Sequence, residues 1–146
     1  MSIMFPKKKW GTGKPKSKYQ KRIAALDRIF QKYIRLRDSD KNGVMICISC
    51  SKLVILGSGE AHAGHFVKRE KNILTRHHEQ NVNGQCYVCN SLDDGNQAEH
   101  GRGIDKKYGP GTANMLLDRS KMKGKFHITQ IEEKIKYYRR RVKELS

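Results

Sequence analysis

Apolar residues recur at three- and four-residue steps through Ile23, Leu26, Phe30, Tyr33 and Ile34, with Arg37 extending the same face. This spacing stacks them on one side of a helix, predicted over residues 17–38 with Ser17 as its N-cap. A second stripe, Ile131, Ile135, Tyr138, Val142 and Leu145, predicts a C-terminal helix. Thr129-Gln130-Ile131-Glu132 has the form of a capping box at its start. Between the two helices the period shortens. Residues 44–48 and 53–56 are β-type runs on either side of a Cys-x-x-Cys turn, the pattern of a hairpin tipped by a zinc knuckle. Residues 61–67 predict a strand whose alternation sets His65 with Ala61, Ala63 and Val67, opposite His62, Gly64 and Phe66. Residues 74–77 read as a short extended piece and residues 81–84 as a turn. A helix is expected within residues 90–108, stopped by Gly109-Pro110-Gly111 and weakened inside by Gly95, Gly101 and Gly103. A short helix from Thr112 to about Met122 follows.

These elements describe one α+β domain over residues 17–146, after a basic arm at 1–16. Its parts are a helical segment at 17–43, a core at 44–109 and C-terminal helices at 110–146. The arm is Lys-rich and broken by Pro6, Gly11, Gly13 and Pro15, a composition that does not fold alone. Its Trp10 offers a ring for stacking on a base. A chain of 146 residues buries one modest core, which a metal clip would reinforce.

Charge narrows the partner. Lys and Arg total 31 against 14 Asp and Glu, a net +17 spread along the whole chain. Such a surface suits a polyanion, nucleic acid first, with a ribosome-type structural protein as the bland alternative. Arg35, Arg37, Lys68, Arg69, Arg76 and the terminal basic segments are the expected DNA contacts, and binding through many phosphates should weaken steeply with salt. No run approaches the roughly 20 apolar residues of a bilayer span, and the basic N-terminus lacks the apolar stretch of a secretory signal. The expectation is a reducing, intracellular setting without a membrane partner, where paired cysteines favour metal over two disulfides.

Cys47-Ile-Ser-Cys50 and Cys86-Tyr-Val-Cys89 hold all four cysteines of the chain. Each two-residue gap lets both sulfurs face one point, so four thiolates can enclose a tetrahedral Zn²⁺. A four-thiolate site leaves no open position, which makes this zinc structural. The stretch between the pairs becomes a loop tied at both ends, and it carries His65 and Asn81, with Asn90 just after it. Hydrolysing a phosphodiester needs an activated water, a cation on the phosphate and alignment. A histidine near neutral pKa can take the water's proton. An Asn side chain or a backbone carbonyl can hold its ring, and Asn oxygen suits a hard cation such as Mg²⁺ or Mn²⁺. His65 is therefore the candidate base, Asn81 its orienter and Asn90 the candidate ligand of a catalytic cation.

This arrangement resembles the HNH, or ββα-metal, nuclease finger over residues 47–108. A longer set of matches resembles the NinG (Rap) recombination proteins of lambdoid phages. It comprises Leu26-Asp27, Tyr33-Ile34-Arg35-Leu36-Arg37-Asp38, Cys47-Ile48-Ser49-Cys50, Gly64-His65-Phe66, Asn81-Val82, Gln85-Cys86, Cys89-Asn90, Gly95-Asn96 and Tyr108-Gly109. The resemblance implies a small zinc-stabilised ββα-metal finger, HNH-like and treble-clef-type, flanked by N- and C-terminal basic helices. It implies a metal-dependent endonuclease acting on branched recombination DNA, D-loops and Holliday junctions, in the cytoplasm of the phage's host. A homodimer fits a junction that needs two cuts. Two positions depart from the HNH pattern: Gly64 stands where Asp or His often binds the metal, and Asn90 where His often closes the site. The remaining metal ligand is left open among Glu60, His62, His78, Glu99 and His100. The alternative is a non-catalytic zinc module that binds nucleic acid.

Overall fold

The structure, a computed structural model, describes residues 13–146. Most of the expected basic arm, Trp10 included, lies outside the described residues. Helix α1 (Lys18–Arg37) opens on the expected cap. Ser17 Oγ accepts from the Gln20 backbone N–H at 3.1 Å, and Gln20 Oε1 accepts from the Ser17 N–H at 3.0 Å. This is a reciprocal capping box, which satisfies two otherwise free donors. The predicted apolar face of α1 packs on the last helix, α5 (Ile128–Leu145). Ile23, Leu26, Phe30, Tyr33 and Ile34 meet Ile131, Ile135, Tyr138 and Val142 in one core. Each large side chain buried this way contributes about 1.5–3 kcal/mol. Leu145, expected in the stripe, is exposed as the last residue of the helix. The α5 cap also sits earlier than Thr129: Gln130 Oε1 accepts the His127 N–H at 2.8 Å, so the box is centred two residues upstream.

Between these helices lie two separate two-stranded antiparallel sheets, so the class is α+β. Strands β1 (Val44–Ile46) and β2 (Leu53–Ile55) form the hairpin that carries the first cysteine pair at its tip. Strand β3 (Ala61–His65) pairs with β4 (Val82–Cys86), from Ala61 opposite Cys86 to His65 opposite Val82. The turn expected over residues 81–84 is thus a strand, buried along its whole length. The polar run Asn83-Gly84-Gln85 reads as a turn in isolation. Tertiary partners override that propensity here.

The extended piece expected at 74–77 is a short helix, α2 (Ile73–Arg76), because Asn72 Oδ1 caps it through the Leu74 N–H at 2.7 Å. The single helix expected within 90–108 is divided. A π-helical turn spans Val88–Leu92, and α3 (Gln97–Tyr108) starts afresh after Asp94, Gly95 and Asn96, all at positive φ. Helix α4 (Thr112–Arg119) ends before Met122 and takes Gly111, not Thr112, as its N-cap. No helix among the described residues is long and apolar enough to cross a membrane.

One charge sits inside the apolar stripe of α1. Asp27, four residues after Ile23 and three before Phe30, accepts from Arg76 Nε at 2.9 Å and Nη2 at 2.5 Å and from His77 Nε2 at 2.7 Å. It thereby ties α2 to α1. Burial works against its ionisation, but the Arg76 and His77 hydrogen bonds prevail and hold its pKa well below the usual carboxylate range. Asp27→Ala should cost about 3 kcal/mol, since it strands a guanidinium in a largely enclosed site. A folded-state pKa below the unfolded value means stability present above about pH 4 and lost as pH falls toward the folded value. In paired thermal melts, the gap between wild type and Asp27→Asn should therefore be constant from pH 8 to 5 and close below about pH 4.

Candidate functional site

The four cysteine sulfurs Sγ lie within 4.8 Å of one another, delivered by the β1–β2 tip, the end of β4 and the π-turn. Cys50 and Cys86 stand 3.7 Å apart, close to the about 3.8 Å that sulfurs at tetrahedral zinc distances require. Two N–H donors already point at the cluster. The Cys89 backbone donates to Cys86 Sγ and Asn96 Nδ2 to Cys89 Sγ, each at 3.4 Å. Burial pushes the Cys89 thiol up to about 12 and raises Cys50, whereas backbone N–H donors outweigh burial at Cys47 and lower it. The donor set, spacing and N–H contacts fit a closed structural zinc site.

His65 closes β3. Its Nε2 lies 2.9 Å from the Arg76 carbonyl oxygen, at the end of α2. A carbonyl only accepts, so Nε2 carries the proton and Nδ1 keeps its lone pair. Burial pulls the imidazole down to about 4, which leaves it neutral at physiological pH. The ring lines a cavity of about 640 Å³, whose wall also includes His62, Asn90, Arg35, Lys68 and Arg69. The arrangement places an oriented neutral base in a basic cleft.

Asn81 does not orient that ring directly, which corrects its expected role. Fully buried, it accepts from the Val67 N–H at 2.8 Å and donates to the Val67 and Thr75 carbonyls at 3.1 and 3.0 Å. It thereby clamps the chain just after His65 and just before Arg76. Asn81 thus holds the backbone on both sides, while the group in contact with the His65 ring is the Arg76 carbonyl.

Asn90 stands on the cleft wall and donates Nδ2 to His62 Nδ1 at 2.9 Å. Among the five open ligand candidates, only His62 lines this cavity. His100 is fully buried beside Phe66 and Asn83. His78 Nδ1 accepts from the Gln80 N–H, while Glu60 and Glu99 pair with Lys52 and Arg102.

The expected DNA contacts divide in the same way. Arg35, Lys68 and Arg69 line the cleft. Arg37 and Arg76 do not belong with them. Arg37 donates to Asp38, to the Glu79 and Val82 carbonyls and to Asn83, and Arg76 forks onto Asp27. Their guanidiniums are committed to the fold. The roles of Asp27 and His77 went unread in the sequence. The one available signal was a carboxylate inside an apolar helical stripe, which needs a buried partner.

The family described as Bacteriophage Lambda NinG protein matches residues 5–146 of the chain. No curated protein and no solved structure matches it.

The packed α1–α5 core and the cysteine cluster are distinct groups of buried residues. Stripping zinc with a chelator should therefore release the β1–β2 hairpin and the π-turn first. Amide exchange should accelerate across residues 44–55 and 86–96, with most far-UV helical signal retained. Metal analysis of the native protein should return one zinc per chain, and Cys86→Ser should abolish it.

Proposed function

The chain belongs to the bacteriophage lambda NinG protein family, and on that premise we propose that it is a metal-dependent DNA endonuclease of phage recombination, cutting branched DNA such as D-loops and Holliday junctions in the host cytoplasm. The observation that carries this reading is the His65 ring, with one nitrogen tied to the Arg76 carbonyl and the other free in a basic cleft. The pairing of β3 with β4 ahead of α3 supports reading this region as an HNH-like ββα finger.

In this mechanism His65 Nδ1 takes a proton from a water lying against the scissile phosphate. The resulting hydroxide attacks phosphorus as the bond to the leaving oxygen breaks. Arg35, Lys68 and Arg69 draw the strand into the cleft and hold its phosphates. A divalent cation, Mg²⁺ or Mn²⁺, would supply positive charge at the phosphate and at the leaving oxygen. Asn90, on the cleft wall, would meet it. A four-way junction would engage two copies of the chain, one for each cut.

Purified zinc-loaded protein should nick a four-way junction only when Mg²⁺ or Mn²⁺ is added. His65→Ala should lower the rate at least about 100-fold while keeping zinc and DNA binding. Cleavage that survives in zinc-loaded His65→Ala would sink the enzyme reading and leave a non-catalytic zinc module. Because a base must be unprotonated, kcat/KM should be level from about pH 5.5 to 8 in His65's range and fall only near its pKa of about 4.

Salt dependence separates the arginines. Lys68→Ala and Arg69→Ala should each reduce the slope of log affinity against log salt by about 1. Arg37→Ala and Arg76→Ala should instead lower the melting temperature.

A further inference from the structure

Gln85 is fully buried on β4, opposite His62 on β3. Its amide nitrogen is used twice, donating to Ser49 Oγ and to the Gly95 carbonyl, each at 2.8 Å. The Gly95 carbonyl accepts only, so the amide has one orientation and its oxygen faces the other way. That oxygen, Oε1, is buried and has no hydrogen-bond partner. An unpaired buried acceptor costs about 1–3 kcal/mol, so a group that supplies positive charge there recovers this cost.

Asn90 repeats the arrangement from the other side. Its Nδ2 donates to His62 Nδ1, and His62 Nε2 donates to the Gly59 carbonyl at 3.1 Å. The Gly59 carbonyl sets the His62 tautomer, and the tautomer sets the Asn90 amide. Asn90 Oδ1 is left facing Gly64. A Cβ on Gly64 would collide with Gln85 Oε1 and stand 3.2 Å from Asn90 Oδ1. Two carboxamide oxygens, each with its amide nitrogen tied back, therefore crowd one bare α-carbon beside the cleft.

We propose that Gln85 Oε1 and Asn90 Oδ1 together hold the divalent cation, with His62 as the residue that positions Asn90. This deepens the endonuclease reading and rests on it for the cation's purpose. Oxygen-only donors select a hard ion such as Mg²⁺ or Mn²⁺ and leave its other positions to water and phosphate. The absence of a side chain at Gly64 is then a requirement of the site.

The test is an electron paramagnetic resonance titration of zinc-loaded protein with Mn²⁺, in the presence of excess dimethyl phosphate. Wild type should bind one Mn²⁺ that Mg²⁺ displaces. Gln85→Met, similar in volume but without the oxygen, should weaken binding at least tenfold. Gln85→Glu should tighten it severalfold, whereas a purely structural glutamine would make both changes neutral or harmful. Gly64→Ala should also weaken binding, and it decides the matter if Gln85→Met fails to keep its zinc. Mn²⁺ binding in Gln85→Met or Gly64→Ala equal to wild type, or no Mn²⁺ bound by wild type, overturns the proposal. Junction cleavage by the same samples separates the two readings. Gln85-dependent Mn²⁺ binding without any cleavage keeps the cation site and sinks the nuclease, while cleavage indifferent to Gln85 does the reverse.

Discussion

The antiparallel ladder between β3 and β4 is the constraint on which the other features depend. Its register places Ala61 opposite Cys86 at one end and His65 opposite Val82 at the other. One end of β4 is thus fastened into the cysteine cluster, and the other into the α1–α5 core through Val82. A slip of one residue would turn every side chain of β4 to the wrong face. Cys86 would leave the cluster, and Gln85 would lose Ser49 and Gly95. The cysteine cluster and the packed helices fix this register from opposite ends, and His65 on β3 inherits its position from it.

The cost of this design is a fully buried strand that carries two polar side chains, Asn83 and Gln85. Apart from Gln85 Oε1, its polar groups have specific partners. Asn83 Oδ1 accepts from Tyr108 Oη at 2.8 Å and from Lys107 Nζ and Arg37 Nη2, both at 3.2 Å. The Gly84 N–H goes to Asp38 at 2.8 Å, and a Cβ there would press on Met45 Sδ at 2.5 Å. Net, such bonds stabilise by only about 1 kcal/mol each, but an unmet one costs more. The network therefore acts mainly by excluding alternatives: any arrangement that breaks one contact strands several groups at once. Arg37, Asp38 and Lys107 are drawn into this service, which removes them from the pool of charges that can meet a ligand.

Periodicity made the two long helices legible, down to the Ser17 cap, because their faces answer to a single rule. The cysteine cluster was legible because thiolate spacing is a local geometric matter. What escaped were features that depend on remote partners. Asn83-Gly84-Gln85 has the composition of a turn, and only Asp38, Tyr108, Ser49 and Gly95, distant in sequence, make it a strand. His65 and Asn90, singled out from their order in the chain, do line one cavity. The grip on His65 was not legible, since it comes from a main-chain oxygen that no residue type announces. Counting basic residues likewise overestimates the charge left free for a ligand, because Arg37 and Arg76 look identical to Arg35 until their partners are seen.

The charge of the cleft bears on when a cation binds. Its two acidic side chains, Glu70 and Asp94, lie beside Arg69 and Lys68 at 3.5 and 3.1 Å and are mostly exposed. Exposed pairs of this kind are worth about 1 kcal/mol or less and yield readily to a better anion. On the proposed function, an incoming phosphate diester would take Lys68 and Arg69 from their carboxylates. Before it arrives, the proposed cation ligands are neutral carboxamide oxygens, and the cleft's two carboxylates are paired with Lys68 and Arg69, a poor resting place for a divalent ion. After it arrives, the phosphate supplies both the missing negative charge and further oxygen ligands. On the proposed assignment, cation and substrate therefore load together. The neutrality of Gln85 and Asn90 is what would keep the metal from being held where there is nothing to cut.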